Sequence, residues 1–137
     1  AISNKEIIED LNRIKFSFNP YNLNRLSILA GTEALKDVEY FNDTRTWIIK
    51  TRETFVAQME ALGFTVLPSK ANFVFATHPD MAGQTYFEKL RERQIIVRHF
   101  KDPKICEYAR ITIGTPEAMD ALVEATKEIL EEERQDA

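Results

Sequence analysis

Two arginines twelve residues apart offer the most definite chemistry in this chain. Arg98 closes the apolar run Ile95-Ile96-Val97, and Arg110 lies inside Tyr108-Ala109-Arg110-Ile111-Thr112-Ile113-Gly114. Short apolar runs of this kind predict strands, so both guanidinium groups are expected on a sheet. A planar guanidinium grips a carboxylate or phosphate through two parallel hydrogen bonds, where lysine offers only a point charge. The pair therefore predicts an anion-binding site. The competing reading is a solvated arginine at a sheet edge, which Arg91 and Arg93 favour in the case of Arg98.

Other candidates are weaker. Cys106 is the single cysteine, which excludes an intramolecular disulfide and predicts a reducing, cytoplasmic setting with an inert, partly buried thiol. The two histidines, His78 and His99, have no close Cys/His spacing, so no metal site is expected. His99 is of the residue type that most often serves as an acid or base, but it is read as a surface residue. Asn72 interrupts an apolar run and is expected to have its amide satisfied by a neighbouring loop.

Size and composition limit the rest. At 137 residues the chain suits one domain with its own core, and its 44% hydrophobic and 29% charged content is that of a globular protein. No apolar run approaches the roughly 20 residues needed to span a bilayer. A net charge of -4 argues against a nucleic-acid binder, which leaves small molecules or other protein as partners.

The elements that must position the arginines can be read from periodicity and punctuation. Ser3-Asn4-Lys5-Glu6 has the form of a capping box ahead of a short helix carrying Ile7, Ile8, Leu11 and Ile14. Phe16 to Asn22, with Pro20 at its centre, predicts an extended linker. From Asn24 to Leu62 the pattern is helical, and one helix of that length would span roughly 57 Å. A kink or two consecutive helices is expected instead, broken at Gly31 or at Asn42-Asp43-Thr44, with Trp47, Phe55 and Met59 in the core. Gly63 supplies the stop. Strands follow at Phe64–Leu67, Ala71–Ala76, Ile95–Arg98 and Ala109–Ile113, the second of them central. Helices are predicted from about Gly83 to Gln94 and after Pro116, the last ending in a solvated, fraying Glu131-Glu132-Glu133 run. The fold class is α+β: N-terminal helices, then a small sheet of three to four strands covered by helices.

Asn19-Pro20-Tyr21-Asn22-Leu23-Asn24-Arg25-Leu26-Ser27, Leu67-Pro68-Ser69-Lys70-Ala71-Asn72-Phe73 and the two arginine-bearing runs together resemble the C-terminal part of the fold-type I, class I/II pyridoxal-phosphate-dependent aminotransferases, most closely the histidinol-phosphate branch. The resemblance covers nearly all of the chain. It implies a division into 1–23 (remnant of the large domain and linker), 24–62 (interdomain helix or helices) and 63–137 (α+β small domain). It implies that Arg110 grips a substrate carboxylate and that Arg98 lines the same pocket, toward a phosphate or a distal carboxylate. Tyr21 and Asn22 are expected at the pocket entrance, unless Tyr21 only packs at an interdomain junction.

For the whole enzyme the resemblance implies amino transfer between glutamate and imidazole-acetol phosphate in histidine biosynthesis, a pyridoxal phosphate cofactor and a homodimer. The family's cofactor lysine has no convincing counterpart here. Lys70 matches only a Ser-Lys pair and lacks the partners such a site needs. The chain is therefore expected to be a fragment that binds no cofactor, lacks activity alone, and self-associates through apolar surface near Phe16 and Phe18. Rival readings are an aromatic aminotransferase, a threonine-phosphate decarboxylase, or a non-catalytic ligand- or partner-binding module.

Overall fold

The computed structural model describes residues 2–18 and 23–136. Tyr21 and Asn22 lie outside them. The chain divides into two compact units, Ala1–Phe41 and Asn42–Ala137.

The first unit is helical: α1 (Lys5–Phe18), α2 (Arg25–Lys36) and the start of α3 (Val38–Ala61). The cap of α1 is Asn4 rather than Ser3. The Asn4 side chain accepts from the Ile7 amide at 2.9 Å, and its carbonyl accepts from Ile8 at 3.1 Å. An asparagine caps as well as a serine, so the box shifts by one residue. The extended stretch predicted from Phe16 is helical through Phe18.

The break expected at Gly31 or Asn42-Asp43-Thr44 falls at Asp37. That residue leaves helical geometry (φ -82°, ψ 71°), donates its amide to the Glu33 carbonyl, and caps α3 by accepting from Tyr40 at 3.2 Å. One aspartate thus ends one helix and starts the next, whereas Gly31 costs only about 1 kcal/mol within a helix, too little to interrupt it. No residue of α2 is buried, and Ile7, Leu11 and Ile14 on α1 are also exposed.

The second unit holds four antiparallel strands, β1 (Thr65–Val66), β2 (Phe73–Thr77), β3 (Arg98–His99) and β4 (Ala109–Thr112), in the order β1-β2-β4-β3. Against expectation β1 and β4 are trimmed, β2 starts two residues later and ends at Thr77, and β3 begins only at Arg98 and ends at His99, because Ile95 to Val97 form the exit from α4 (Gly83–Glu92). Side chains alternate across a sheet. Val74, Ala76, Ala109 and Ile111 therefore share one buried face with Tyr86 and Leu90 of α4, Phe55 and Met59 of α3, and Met119, Leu122, Val123 and Ile129 of α5 (Pro116–Asp136). Trp47, expected in this core, is instead 39% exposed.

Two left-handed residues close helices in the same way. At the end of α3, Gly63 (φ 91°) donates to Glu60 and Phe64 donates to Met59, a Schellman turn. At the end of α4, Gln94 (φ 62°) donates to Arg91 and Ile95 to Leu90. Gly83 has another constraint. A methyl group there would lie 2.5 Å from the Cys106 carbonyl oxygen, so only glycine lets α4 start against this loop.

The acidic end of α5 is more than a fraying tail. Glu133 and Glu132 reach Lys89 at 2.7 and 3.6 Å, while Glu132 and Glu128 hold Arg93. The hydrogen bond that Lys89 donates to Glu133 is the main cause that raises the Lys89 pKa above its ordinary value.

Candidate functional site

Arg98 and Arg110 are direct partners across the β3–β4 ladder, and Arg110 is in turn opposite Phe75 on β2. Directly opposed residues project from the same side of a sheet. Phe75, Arg110 and Arg98 thus form a row on the face opposite the core, joined there by Phe73 and Thr112. The antiparallel pairing converts a separation of twelve residues into adjacency.

Aromatic rings surround the two guanidinium groups. The Arg110 Cζ atom lies 5.3 Å from the Phe73 ring centroid and 5.8 Å from that of Phe100, and the Arg98 Cζ lies 5.3 Å from the same Phe100 ring. Phe75 links the group, stacked on Phe100 at 6.1 Å and tilted against Tyr108 at 6.2 Å. Each guanidinium is attracted to the electron-rich ring faces, an interaction that needs no hydrogen bond.

The N–H groups remain available. Among the described residues neither Arg98 nor Arg110 takes part in an ion pair, and the buried Arg110 Nε has no hydrogen-bond partner. A buried donor without a partner costs about 1–3 kcal/mol. An anion accepting from this group would recover that cost.

Sequence reasoning singled out the arginines and overlooked the rings. Phe73 and Phe75 were read as part of a wholly apolar central strand, yet their spacing of two already placed them together on one face. His99 was read as a surface residue. It is half-buried on the core side, opposite Ala109, with Nε2 2.7 Å from the Cys106 carbonyl oxygen and its ring against Phe87. Cys106 is half-buried in the loop before β4, its thiol donating weakly to the Pro103 carbonyl oxygen. Asn72 lies outside β2 with an exposed side chain, so no buried amide needs satisfying.

Lys70 is exposed in the turn between β1 and β2, where Ser69 donates to the Phe73 carbonyl. It pairs with no carboxylate among the described residues. An exposed, unpartnered lysine on a turn does not fit a covalently held pyridoxal group, which needs a shaped and hydrogen-bonded cradle. A concavity of about 880 Å³ in the second unit lies apart from both arginines and is lined by Gly63, His78, Asp80, Lys127, Glu131 and Arg134 among others.

A four-stranded antiparallel sheet with helices on one face and ring-flanked, directly opposed arginines on the other defines an α+β unit. Residues 1–125 match the sequence model of the family Aminotransferase class I and II, and the chain belongs to that family. It is 48% identical over 130 residues to the histidinol-phosphate aminotransferase of Brachyspira hyodysenteriae, a match covering 95% of this chain and 37% of that protein. The chain thus spans little more than a third of that relative's length. The structure of histidinol-phosphate aminotransferase from Clostridium acetobutylicum superposes with a TM-score of 0.78 at 27% identity, covering 92% of this chain and 38% of that one. A decarboxylase from Sulfurospirillum multivorans gives the same TM-score, 0.78, at 26% identity, covering 94% and 38%. Backbone shape alone does not separate the two activities.

Proposed function

We propose that this chain supplies the substrate-anion grip of a histidinol-phosphate-type aminotransferase, in which an amino group passes between glutamate and imidazole-acetol phosphate. The observation that carries this reading is the cross-strand Arg98–Arg110 pair with an unpartnered, buried Arg110 Nε. Arg110, the more enclosed of the two, takes the carboxylate common to amino-acid substrates. Arg98, exposed at the neighbouring position, takes the phosphate or the distal carboxylate of glutamate.

Two planar forks on one rigid sheet suit an enzyme that must accept two anionic substrates in turn, because guanidinium geometry matches both groups. Residues 63–137 serve as the small domain in this reading, and the working enzyme is a cytoplasmic homodimer that carries pyridoxal phosphate. Lys70 does not fit that cofactor, so the role assigned to the described residues is binding and orientation, and the isolated chain is expected to be inactive. The closer sequence match to an aminotransferase favours this reading over a phosphothreonine decarboxylase.

The test is a chimera in which this chain replaces the corresponding part of the Brachyspira relative. The chimera is expected to transaminate imidazole-acetol phosphate with glutamate, and Arg110→Ala to lower kcat/KM for glutamate by roughly ten- to a hundredfold, the range for losing hydrogen bonds to a charged group. A folded chimera that transaminates equally well with and without Arg110 would refute the reading. Release of carbon dioxide from threonine phosphate, with no transamination, would transfer it to the decarboxylase.

A further inference from the structure

We infer that Phe100 is a positioning residue of this anion site, its ring shared by the two guanidinium groups so that both keep their N–H forks free; the inference rests on the function proposed above. Arg98 and Arg110 are like charges directly opposite each other on antiparallel strands, an arrangement that is ordinarily destabilising. The usual relief is a neighbouring carboxylate. That solution would occupy the hydrogen-bonding forks a substrate needs.

No carboxylate pairs with either arginine among the described residues. The electron-rich face of the neutral Phe100 ring offers partial relief instead, 5.3 Å from the Arg98 Cζ and 5.8 Å from that of Arg110. A ring quadrupole attracts a cation without accepting its classical hydrogen bonds, so the repulsion is partly offset and the donors stay open. Phe100 follows Arg98 by two residues and reaches the same side of the chain. Its plane is held by Phe75, stacked at 6.1 Å with only 13° between rings, and Phe75 is itself fixed opposite Arg110. Phe73 flanks only Arg110, which leaves Phe100 as the ring common to both cations.

The experiment is an NMR titration of the whole chain with inorganic phosphate, following the Nε–H signals of Arg98 and Arg110 in wild type, Phe100→Tyr and Phe100→Leu. Tyrosine keeps the ring face, while leucine keeps apolar bulk without it. Both signals are expected to be ring-current shifted before any phosphate is added in wild type and Phe100→Tyr; in Phe100→Leu the Arg98 signal should lose its shift, while Arg110, which also lies against Phe73, should keep part of its own. Phosphate affinity should fall roughly three- to thirtyfold in Phe100→Leu and stay within about twofold of wild type in Phe100→Tyr, as the strength of such contacts implies.

Unshifted wild-type signals would overturn the inference, as would a folded leucine variant that binds like wild type. Should the leucine variant fail to fold, a tyrosine variant that binds much more weakly than wild type would still overturn it. Wild-type signals that are shifted yet unmoved by phosphate would overturn the anion site itself, a failure visible before any variant is compared.

Discussion

The two faces of the small sheet are built on opposite principles, although they alternate residue by residue along the same strands. On the covered face Val74, Ala76, Ala109 and Ile111 are at most 1% exposed, and the buried polar pair beside them is satisfied: the Tyr86 and Thr126 hydroxyls lie 2.7 Å apart, and Thr126 also donates to the Leu122 carbonyl. On the other face the neighbouring positions hold the half-buried Phe73, Phe75 and Arg110 beside the exposed Arg98, with the buried Nε of Arg110 left unpaired. One face spends its side chains on stability. The other keeps unmet binding capacity, as expected where local consistency yields to function.

Adjacent residues of β4 give the sharpest test of this contrast. Ile111→Ala is expected to cost about 2–5 kcal/mol by opening a cavity in the core, measured by urea denaturation. Arg110→Leu, one residue away, should change stability by less than about 1 kcal/mol, because it removes an unsatisfied donor together with its charge. The same change should abolish phosphate binding. If Arg110→Leu proves as damaging as Ile111→Ala, the open face is structural and the comparison breaks down.

A smaller effect is expected from the satisfied pair. Tyr86→Phe should cost about 1 kcal/mol for the lost hydrogen bond. Burial holds the Tyr86 phenol above its ordinary pKa, with the Thr126 hydrogen bond opposing only in part. The unfolded chain therefore loses this proton first as pH rises, so stability is complete below about pH 10 and declines above it. Tyr86→Phe should flatten that alkaline decline. A chemical-denaturation series from pH 8 upward in both proteins checks this, and parallel curves would count against the burial of Tyr86.

The smallest effect concerns the segment leading into β3. Gln94 occupies a left-handed turn position where Gly63 does the same task without strain. Gln94→Gly should raise stability by about 0.5–1 kcal/mol, the usual benefit of relieving a side chain at positive φ. Because Arg98 follows only four residues later, an unchanged phosphate affinity in this variant would show that the turn serves the scaffold rather than the site.

Much of this organisation was legible without coordinates. The Gly63 stop, the apolar core residues Phe55 and Met59, the strands around Phe75 and Ile111, and the placing of Arg98 and Arg110 on strands all follow from periodicity and residue chemistry. Boundaries were less legible, because caps with similar chemistry compete: Asn4 replaced Ser3, and Asp37 ended α2 where Gly31 and the Asn42 cluster looked the stronger breakers. Trp47 shows another limit. Helical spacing identifies a face, but whether anything packs against that face depends on neighbours distant in sequence.

The residue types of the proposed site were determined by the sequence alone, since a guanidinium on a short apolar strand is a candidate grip for an anion wherever it lies in space. Its geometry was decided only by the tertiary structure. Pairing register is a long-range property set by how helices α4 and α5 bury one side of the sheet, and a slip of one residue would have sent Arg110 into the core. That register brought Arg98 opposite Arg110, gathered Phe73, Phe75 and Phe100 around them, and turned His99 inward to the Cys106 carbonyl.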